Sequence, residues 1–271
     1  MDLLQTPELT AHRVVVSGAH VEEYKYSRPY GYHLFSDQKK SKGRGPERKL
    51  TPEQQKQNQE RSGWRAKQEL RRLIDANCYD QRDDFGNLIT PKFITFTFRE
   101  NMQDLREANH LFTDFIKRFN YALQSHLKYT VVHEIQKRGA IHYHAIFYNL
   151  PFFENDRIAE LWTHGFTKTK NIAHIENIGA YMAKYLTKDE RTARKRGQKR
   201  YFSSKLLRRP LTVRDQNKAD AMGVALEGEK PVYEKVSERE SGNICEYRVY
   251  DLSKRSEVRR EVLKCAQSSI V

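Results

Sequence analysis

The sequence has few of the residues and segments that mark several common classes of protein. Only three cysteines occur in 271 residues, Cys78, Cys245 and Cys265, far apart and without a C-x-x-C pair. So sparse a set argues against a disulfide framework and against a thiolate zinc site. The chain also has no G-x-x-x-x-G-K-[ST] loop, so we expect no ATPase or helicase module in this polypeptide.

Long apolar segments are missing as well. No run of residues approaches the length of a transmembrane helix, and the amino terminus has no hydrophobic signal-peptide core. No basic amphipathic segment with a strong apolar face stands out, which disfavours a role at a membrane surface. We therefore expect a protein of a reducing cytoplasm, without a membrane partner.

Positive charge is what the sequence has in excess. Lys and Arg number 49 against 35 Asp and Glu, so the formal net charge is +14. This excess indicates a polyanionic partner, nucleic acid first, because Lys and Arg neutralise phosphates. A basic protein without such a partner is the plainer alternative. The hydrophobic fraction of 38% allows a true core beneath the polar surface.

Hydrophobic periodicity divides the chain into three parts. Residues 1–50 have weak periodicity and are expected to form a flexible basic arm. Residues 51–215 alternate helical and strand patterns and form the predicted core domain, and residues 216–271 indicate a C-terminal helix and β-hairpin extension. Strands separated by helices, with one tight hairpin, predict an α+β fold whose central antiparallel sheet is flanked by helices.

Two histidines one residue apart lie within an apolar strand pattern. His142 and His144 should share one face of the strand, since side chains at i and i+2 point the same way. The preceding strand of the hairpin carries Glu134, a candidate third ligand. Two imidazoles and a carboxylate suit Mn²⁺, Mg²⁺, Co²⁺ or Zn²⁺ acting as a Lewis acid on a phosphate, with Mn²⁺ or Mg²⁺ the best fit. Taken alone, the histidine pair is equally compatible with a structural role.

A pair of potential nucleophiles follows downstream. Tyr181 and Tyr185 are four residues apart in a helical pattern, so they share a face. Lys184 and Lys188 each follow one of the tyrosines by three residues and lie on roughly the same face. A phenol has a pKa near 10 and needs a nearby cation before it can attack a phosphodiester. For this helix alone, packing of the two rings with their hydroxyls at the rim is the plainer interpretation.

A densely basic stretch follows the tyrosine helix. Its charges suit contact with a nucleic-acid backbone, although such runs are often only solvated surface. The predicted DNA-binding residues are one cation of the hairpin and seven after the helix: Arg138, Arg191, Arg194, Lys195, Arg196, Lys199, Arg200 and Lys205.

Together these residues resemble the HUH superfamily of single-strand endonucleases, specifically the two-tyrosine rolling-circle replication initiators (Rep) of small plasmids and single-stranded DNA phages. The strand at 93–98 is similar to the first motif of that family, and His142-Tyr143-His144 to its His-hydrophobe-His motif. The run at 181–188 is similar to its third motif, Tyr-x-x-Lys-Tyr-x-x-Lys. The order and spacing of the three over residues 65–210 carry the resemblance.

The resemblance implies an RRM-like or ferredoxin-like sheet and a divalent metal held by the two histidines and a third ligand. It implies a nicking and joining endonuclease that cuts and rejoins single-stranded DNA at a replication origin, which we expect to be a hairpin, through a 5′-phosphotyrosine. It favours Tyr185 as the first nucleophile and Tyr181 as the second, or as the acceptor in termination. It also implies a bacterial host whose helicase and DNA polymerase are partners.

Two other functions stay open from the sequence. A transposase or mobilisation relaxase of the HUH type shares the chemistry but usually differs in motif order or tyrosine placement. A non-catalytic RRM-like module would instead use Phe93, Phe96, Phe98 and the basic residues to bind single-stranded nucleic acid.

Overall fold

The chain folds into two compact units. The structure, a computed structural model, describes residues 10–30, 51–79, 81–82, 86–175, 177–187, 199–238 and 242–267. The larger unit comprises residues 52–209, and the other, the end unit, is built from the two ends of the chain, 1–51 and 210–271. Each unit has its own five-stranded antiparallel sheet and its own core, which confirms the predicted α+β class with helices flanking antiparallel strands.

Ten strands and six helices follow one another along the residues that the structure describes. In chain order they are β1 (Thr10–Ser17), β2 (His20–Tyr30), α1 (Pro52–Cys78), β3 (Lys92–Thr97), α2 (Leu105–Leu123), β4 (Tyr129–Ile135), β5 (Ile141–Phe147), α3 (Asn155–Trp162), β6 (Thr167–Asn171), α4 (Ile178–Thr187), β7 (Tyr201–Ser203), β8 (Leu211–Val213), α5 (Gln216–Ala225), β9 (Tyr233–Glu238), β10 (Ile244–Asp251) and α6 (Ser256–Gln267). The spatial strand order is β6-β3-β5-β4-β7 in the larger unit and β8-β1-β2-β10-β9 in the other.

The sheet of the larger unit has an apolar core on each face. Alternation along β3 turns Phe96 toward α2 and α3, where its ring contacts Phe112, Phe115 and Trp162. Phe93 points to the opposite face and joins a second core with residues of α1 and α4. The predicted metal ligands lie on this second face, beneath α4.

The helix that carries the two tyrosines is fixed at its start. The side chain of Asn177 accepts a hydrogen bond from the Ala180 amide at 2.7 Å, as an N-cap does. A Cβ on Gly179 would lie 2.5 Å from Oδ1 of Asp75 and 2.7 Å from the carbonyl oxygen of Arg71, both on α1. The Gly179 amide donates to the same carboxylate oxygen at 3.2 Å. Glycine at this position therefore lets α4 approach α1 closely.

The prediction of a flexible arm at residues 1–50 is wrong for residues 10–30. These residues form β1 and β2, which pair with each other and with β8 and β10. Apolar periodicity is weak here because Glu22 and Glu23 are buried along with Val14 and Val21. Glu22 is stabilised in the interior by a 2.7 Å hydrogen bond from the Tyr247 hydroxyl. The rest of the expected arm lies outside the described residues.

The C-terminal part contains the expected hairpin, as β9 and β10, and a final helix, α6. Sequence reasoning missed β8, a three-residue strand, and the sheet of the end unit includes it next to β1. The second segment of the end unit accordingly begins at residue 210, whereas the predicted core domain extended to residue 215. None of the helices within the described ranges combines the length and the apolar character needed to cross a membrane.

Gly179→Ala is expected to lower the free energy of unfolding by about 1–3 kcal/mol, the usual cost of overpacking a close contact. Gly63→Ala in α1 is the matched control. A Cβ there would meet only the end of the Arg200 side chain, at 3.3 Å, and alanine favours a helix by about 0.5–1 kcal/mol over glycine. Urea unfolding should show a lower free energy of unfolding for Gly179→Ala and a higher one for Gly63→Ala than for the parent. A Gly179→Ala protein as stable as the parent would contradict the close contact between α1 and α4.

Candidate active site

The predicted metal ligands lie on the face of the sheet that α4 covers. One row of directly opposed residues crosses three strands and consists of Thr97 of β3, His142 of β5 and Glu134 of β4. Thr95 and His144 are paired in the next row. Directly opposed residues of antiparallel strands share a face, so the three predicted ligands are on one side of the sheet.

Glu134 and His144 are in direct contact. Oε2 of Glu134 lies 2.6 Å from Nε2 of His144, and Nδ1 of the same ring lies 3.3 Å from Oγ1 of Thr95. His144 is only 6% exposed. At this distance a proton lies between the carboxylate and the ring nitrogen, because two lone pairs would repel each other. The pair is therefore a direct hydrogen bond between the side chains of Glu134 and His144.

His142 is half-buried beside this pair. Its Nδ1 lies 3.3 Å from the side-chain nitrogen of Gln136, whose side-chain oxygen accepts a hydrogen bond from Arg138 at 3.2 Å. Burial lowers the pKa of His142, and this outweighs the opposing effect of the Glu134 carboxylate; the charge of Arg138 lowers it further. The ring is neutral at pH 7, the form that binds metal ions.

Only two of the three predicted ligands converge. Among the residues that the structure describes, no group of three His, Cys, Asp or Glu side chains is close enough together to hold a metal ion. The donor atoms nevertheless fit a divalent cation, since two imidazoles and a carboxylate share one face of the sheet.

Both tyrosines face these residues from α4. The Tyr185 ring stacks on His144, with centroids 4.0 Å apart and 27° between the planes, and on Phe93 at 5.9 Å. The Tyr181 ring meets Phe93 edge-on at 5.7 Å. The two tyrosine hydroxyls are 3.3 Å apart. The two phenols therefore meet at one place next to His144.

Two lysines surround Tyr181. Lys184, expected from the sequence, has its ammonium 3.7 Å from the centroid of the Tyr181 ring. Lys170 of β6 donates a hydrogen bond to the Tyr181 hydroxyl at 3.3 Å, and sequence reasoning missed it. Lys170 is identified by its pairing with Phe93 across the sheet, and this pairing is visible only in the structure.

The two phenols differ in acidity. Burial acts to raise the pKa of Tyr181, but the hydrogen bonds from Tyr185 and Lys170 outweigh it. Together with the positive charge of Lys184 they hold the pKa of Tyr181 below its usual value of 10. Burial raises the pKa of Tyr185, and its hydrogen bond to Tyr181 and the charge of Glu134 add to the increase. Tyr181 is thus the more readily ionised phenol.

The predicted DNA-binding cations lie only partly within the described residues. Arg138, Lys199 and Lys205 are exposed, and Arg200 is half-buried. The predicted catalytic Lys188 falls outside the described residues. So do the remaining four predicted DNA-binding cations, Arg191, Arg194, Lys195 and Arg196. Residues 52–209 hold 29 Lys and Arg against 18 Asp and Glu, so this unit carries +11 of the net charge of +14.

The stretch that holds the site also resembles a known family. Residues 91–190 match the family model of the replication-associated protein ORF2. The match covers a little over a third of the chain and includes Glu134, both histidines and both tyrosines. No curated protein and no solved structure matches the chain. The match to a replication-associated family supports a role as a replication initiator, with DNA as the partner.

Lys170→Met is expected to raise the pKa of Tyr181 by roughly one pH unit, because a hydrogen bond to a charged group is worth about 1.5 kcal/mol or more. NMR titration of protein with ¹³Cζ-labelled tyrosine measures this change, with Tyr181→Phe identifying the signal. Lys168→Met is the matched control, since Lys168 lies two residues away on the same face of β6. An unchanged titration of Tyr181 in Lys170→Met would show that the ammonium does not act on this phenol.

Proposed function

We propose that this protein is a rolling-circle replication initiator, which nicks and rejoins single-stranded DNA at an origin through a 5′-phosphotyrosine. The observation that carries the proposal is the stacking of Tyr185 on His144, with the Tyr181 hydroxyl 3.3 Å from that of Tyr185. Two phenols and a histidine–carboxylate pair thus meet in the more basic unit of the chain. The match to a replication-associated family supports the same role.

In the proposed reaction a tyrosine oxygen attacks the scissile phosphorus, and the bond from phosphorus to the 3′ oxygen breaks. The phenolic proton is transferred, in net terms, to the 3′ oxygen, which leaves as a hydroxyl that a polymerase extends. The 5′-phosphate stays on the tyrosine, so attack by a 3′-hydroxyl reverses the step. Two hydroxyls at 3.3 Å allow a second cleavage while the first covalent link is held.

Residues of the chain supply the charge that this reaction needs. Lys170 and Lys184 place two ammonium groups at Tyr181, where they stabilise a phenolate and the approaching phosphate. Glu134, His142 and His144 would hold Mn²⁺ or Mg²⁺, which when bound acts as a Lewis acid on a phosphate oxygen. The basic residues that follow α4 would contact the DNA backbone.

Two arguments differ on which tyrosine attacks the DNA first. The family resemblance favours Tyr185 as the first nucleophile. The geometry favours Tyr181, because this half-buried phenol has an ammonium partner whereas Tyr185 is 8% exposed against His144. Single variants of the two residues separate these assignments.

Incubation with a labelled library of random single-stranded DNA and Mn²⁺ is expected to give a protein–DNA adduct that resists SDS. The Tyr181→Phe/Tyr185→Phe double variant should form none, and the single variant that prevents the first cleavage identifies the first nucleophile. Tyr121→Phe is the matched control, because Tyr121 is 79% exposed on α2, and its adduct should be unchanged. Tight DNA binding without an adduct on any sequence would overturn nicking and support the non-catalytic binding module.

Glu134→Gln and His142→Ala are each expected to weaken Mn²⁺ binding at least tenfold, because each removes one donor from the proposed set. Isothermal titration calorimetry measures the affinity without reference to cleavage. His126→Ala, at an exposed position after α2, is the control and should bind Mn²⁺ like the parent. If both variants bind Mn²⁺ as tightly as the parent, these residues are not its ligands.

A further inference from the structure

An exposed aromatic ring lies at the edge of the active-site face. Phe166 is 65% exposed and directly precedes β6, one of the two edge strands of the sheet. Its carbonyl accepts hydrogen bonds from the amide and the hydroxyl of Thr97, each at 2.9 Å, and its amide donates to the same hydroxyl at 3.2 Å. Because Phe96 pairs with Thr167, the next step of the register sets Phe166 opposite Thr97, on the same face.

Phe166 therefore extends the row that contains the proposed ligands. Thr97 lies between Phe166 and His142, and Glu134 follows on the next strand. Two strand spacings, roughly 10 Å, separate Phe166 from His142. About three nucleotides span that distance at a stacked rise of about 3.4 Å each. A phosphate held at the site would thus have neighbouring bases within reach of the ring.

The backbone before Phe166 is tightly held. A Cβ on Gly165 would collide with the Thr97 carbonyl and would lie 2.7 Å from the Arg99 amide nitrogen, so only glycine fits this approach. The Trp162 indole donates to the same Thr97 carbonyl at 3.0 Å. Phe166 is thus an exposed ring on a fixed backbone, and a backbone fixed in advance reduces the entropy lost on binding.

Two lysines continue the line from Phe166 along β6. Lys168 and Lys170 oppose Thr95 and Phe93, so they share the face of Phe166 at intervals of about 6.6 Å. Both side chains are exposed, and Lys170 also donates to Tyr181. Lysines on an edge strand prevent pairing with other sheets, but that role does not explain an exposed phenylalanine in line with them. Aromatic rings that stack bases, next to cations that contact phosphates, are typical of surfaces for single-stranded nucleic acid.

We infer that Phe166 and Lys168 form a binding surface for the single-stranded DNA next to the scissile phosphate. The ring stacks on a base, and the ammonium contacts a phosphate. The inference rests on the proposed function for the place of the scissile phosphate, but it concerns binding and not cleavage.

Fluorescence anisotropy of a labelled dT oligonucleotide with the full chain in EDTA tests binding alone. Phe166→Ala is expected to weaken binding about 5- to 150-fold, because stacking of a base on an aromatic ring is worth about 1–3 kcal/mol. The dependence of the Phe166→Ala affinity on salt concentration should be the same as that of the parent. Lys168→Ala should reduce the slope of log K against log salt by about 0.7, the contribution of one phosphate contact on a single strand.

Two further variants control for general effects. Phe166→Tyr keeps an aromatic face and should bind like the parent. Phe152→Ala removes a ring that is 86% exposed after the far end of β5, and it should bind like the parent as well. Parental affinity in Phe166→Ala would overturn the inference, as would an equal loss in Phe152→Ala. Failure of the proposed function can be distinguished from failure of this inference. If only the proposed function fails, the unmodified protein forms no covalent protein–DNA adduct, but its affinity for the oligonucleotide still depends on Phe166.

Discussion

The arrangement of the site depends on the stacking of Tyr185 on His144. Glu134 and Thr95 hold the imidazole from the sheet side, and α4 holds the phenol from the other. α4 reaches its position only because Gly179 allows a close approach to α1. A change in this helix contact would move both phenols relative to the histidines. The packing of two helices is in this way part of the proposed chemistry.

The charges around the two hydroxyls are arranged unevenly. Lys170 and Lys184 lie closest to Tyr181, with the Lys184 ammonium farther from the Tyr185 ring at 5.3 Å, whereas the carboxylate of Glu134 lies on the side of Tyr185 and His144. A phosphodiester is attracted to the first side and repelled by the second. A carboxylate beside a phosphate is useful only when a cation neutralises it. The position of Glu134 is therefore more readily explained by a bound divalent cation than by direct contact with DNA.

The sequence predicted the parts of the site that depend on local periodicity. A period of two set His142 and His144 on one face, and a helical period brought Tyr181 and Tyr185 together. Lys170 and Phe166 were missed because their places depend on the pairing of β6 with β3, a contact between distant parts of the chain. β6 is short and alternates Thr with Lys, so it has no apolar pattern that would reveal its partner. The pairing of β2 with β10 also joins distant parts of the chain, and the buried Glu22 and Glu23 of β2 conceal its apolar pattern.

The division of charge between the units bears on where DNA binds. The end unit carries 20 Lys and Arg against 17 Asp and Glu, so it is close to neutral for its size. Two of its carboxylates, Glu22 and Glu23, are buried, and Glu23 accepts hydrogen bonds from His12 and Tyr250. Phosphate binding depends on exposed cations, which neutralise the backbone and release counterions. Since the larger unit holds most of the excess charge, the stretch that carries the proposed chemistry also has the stronger electrostatic attraction for the strand it would cut.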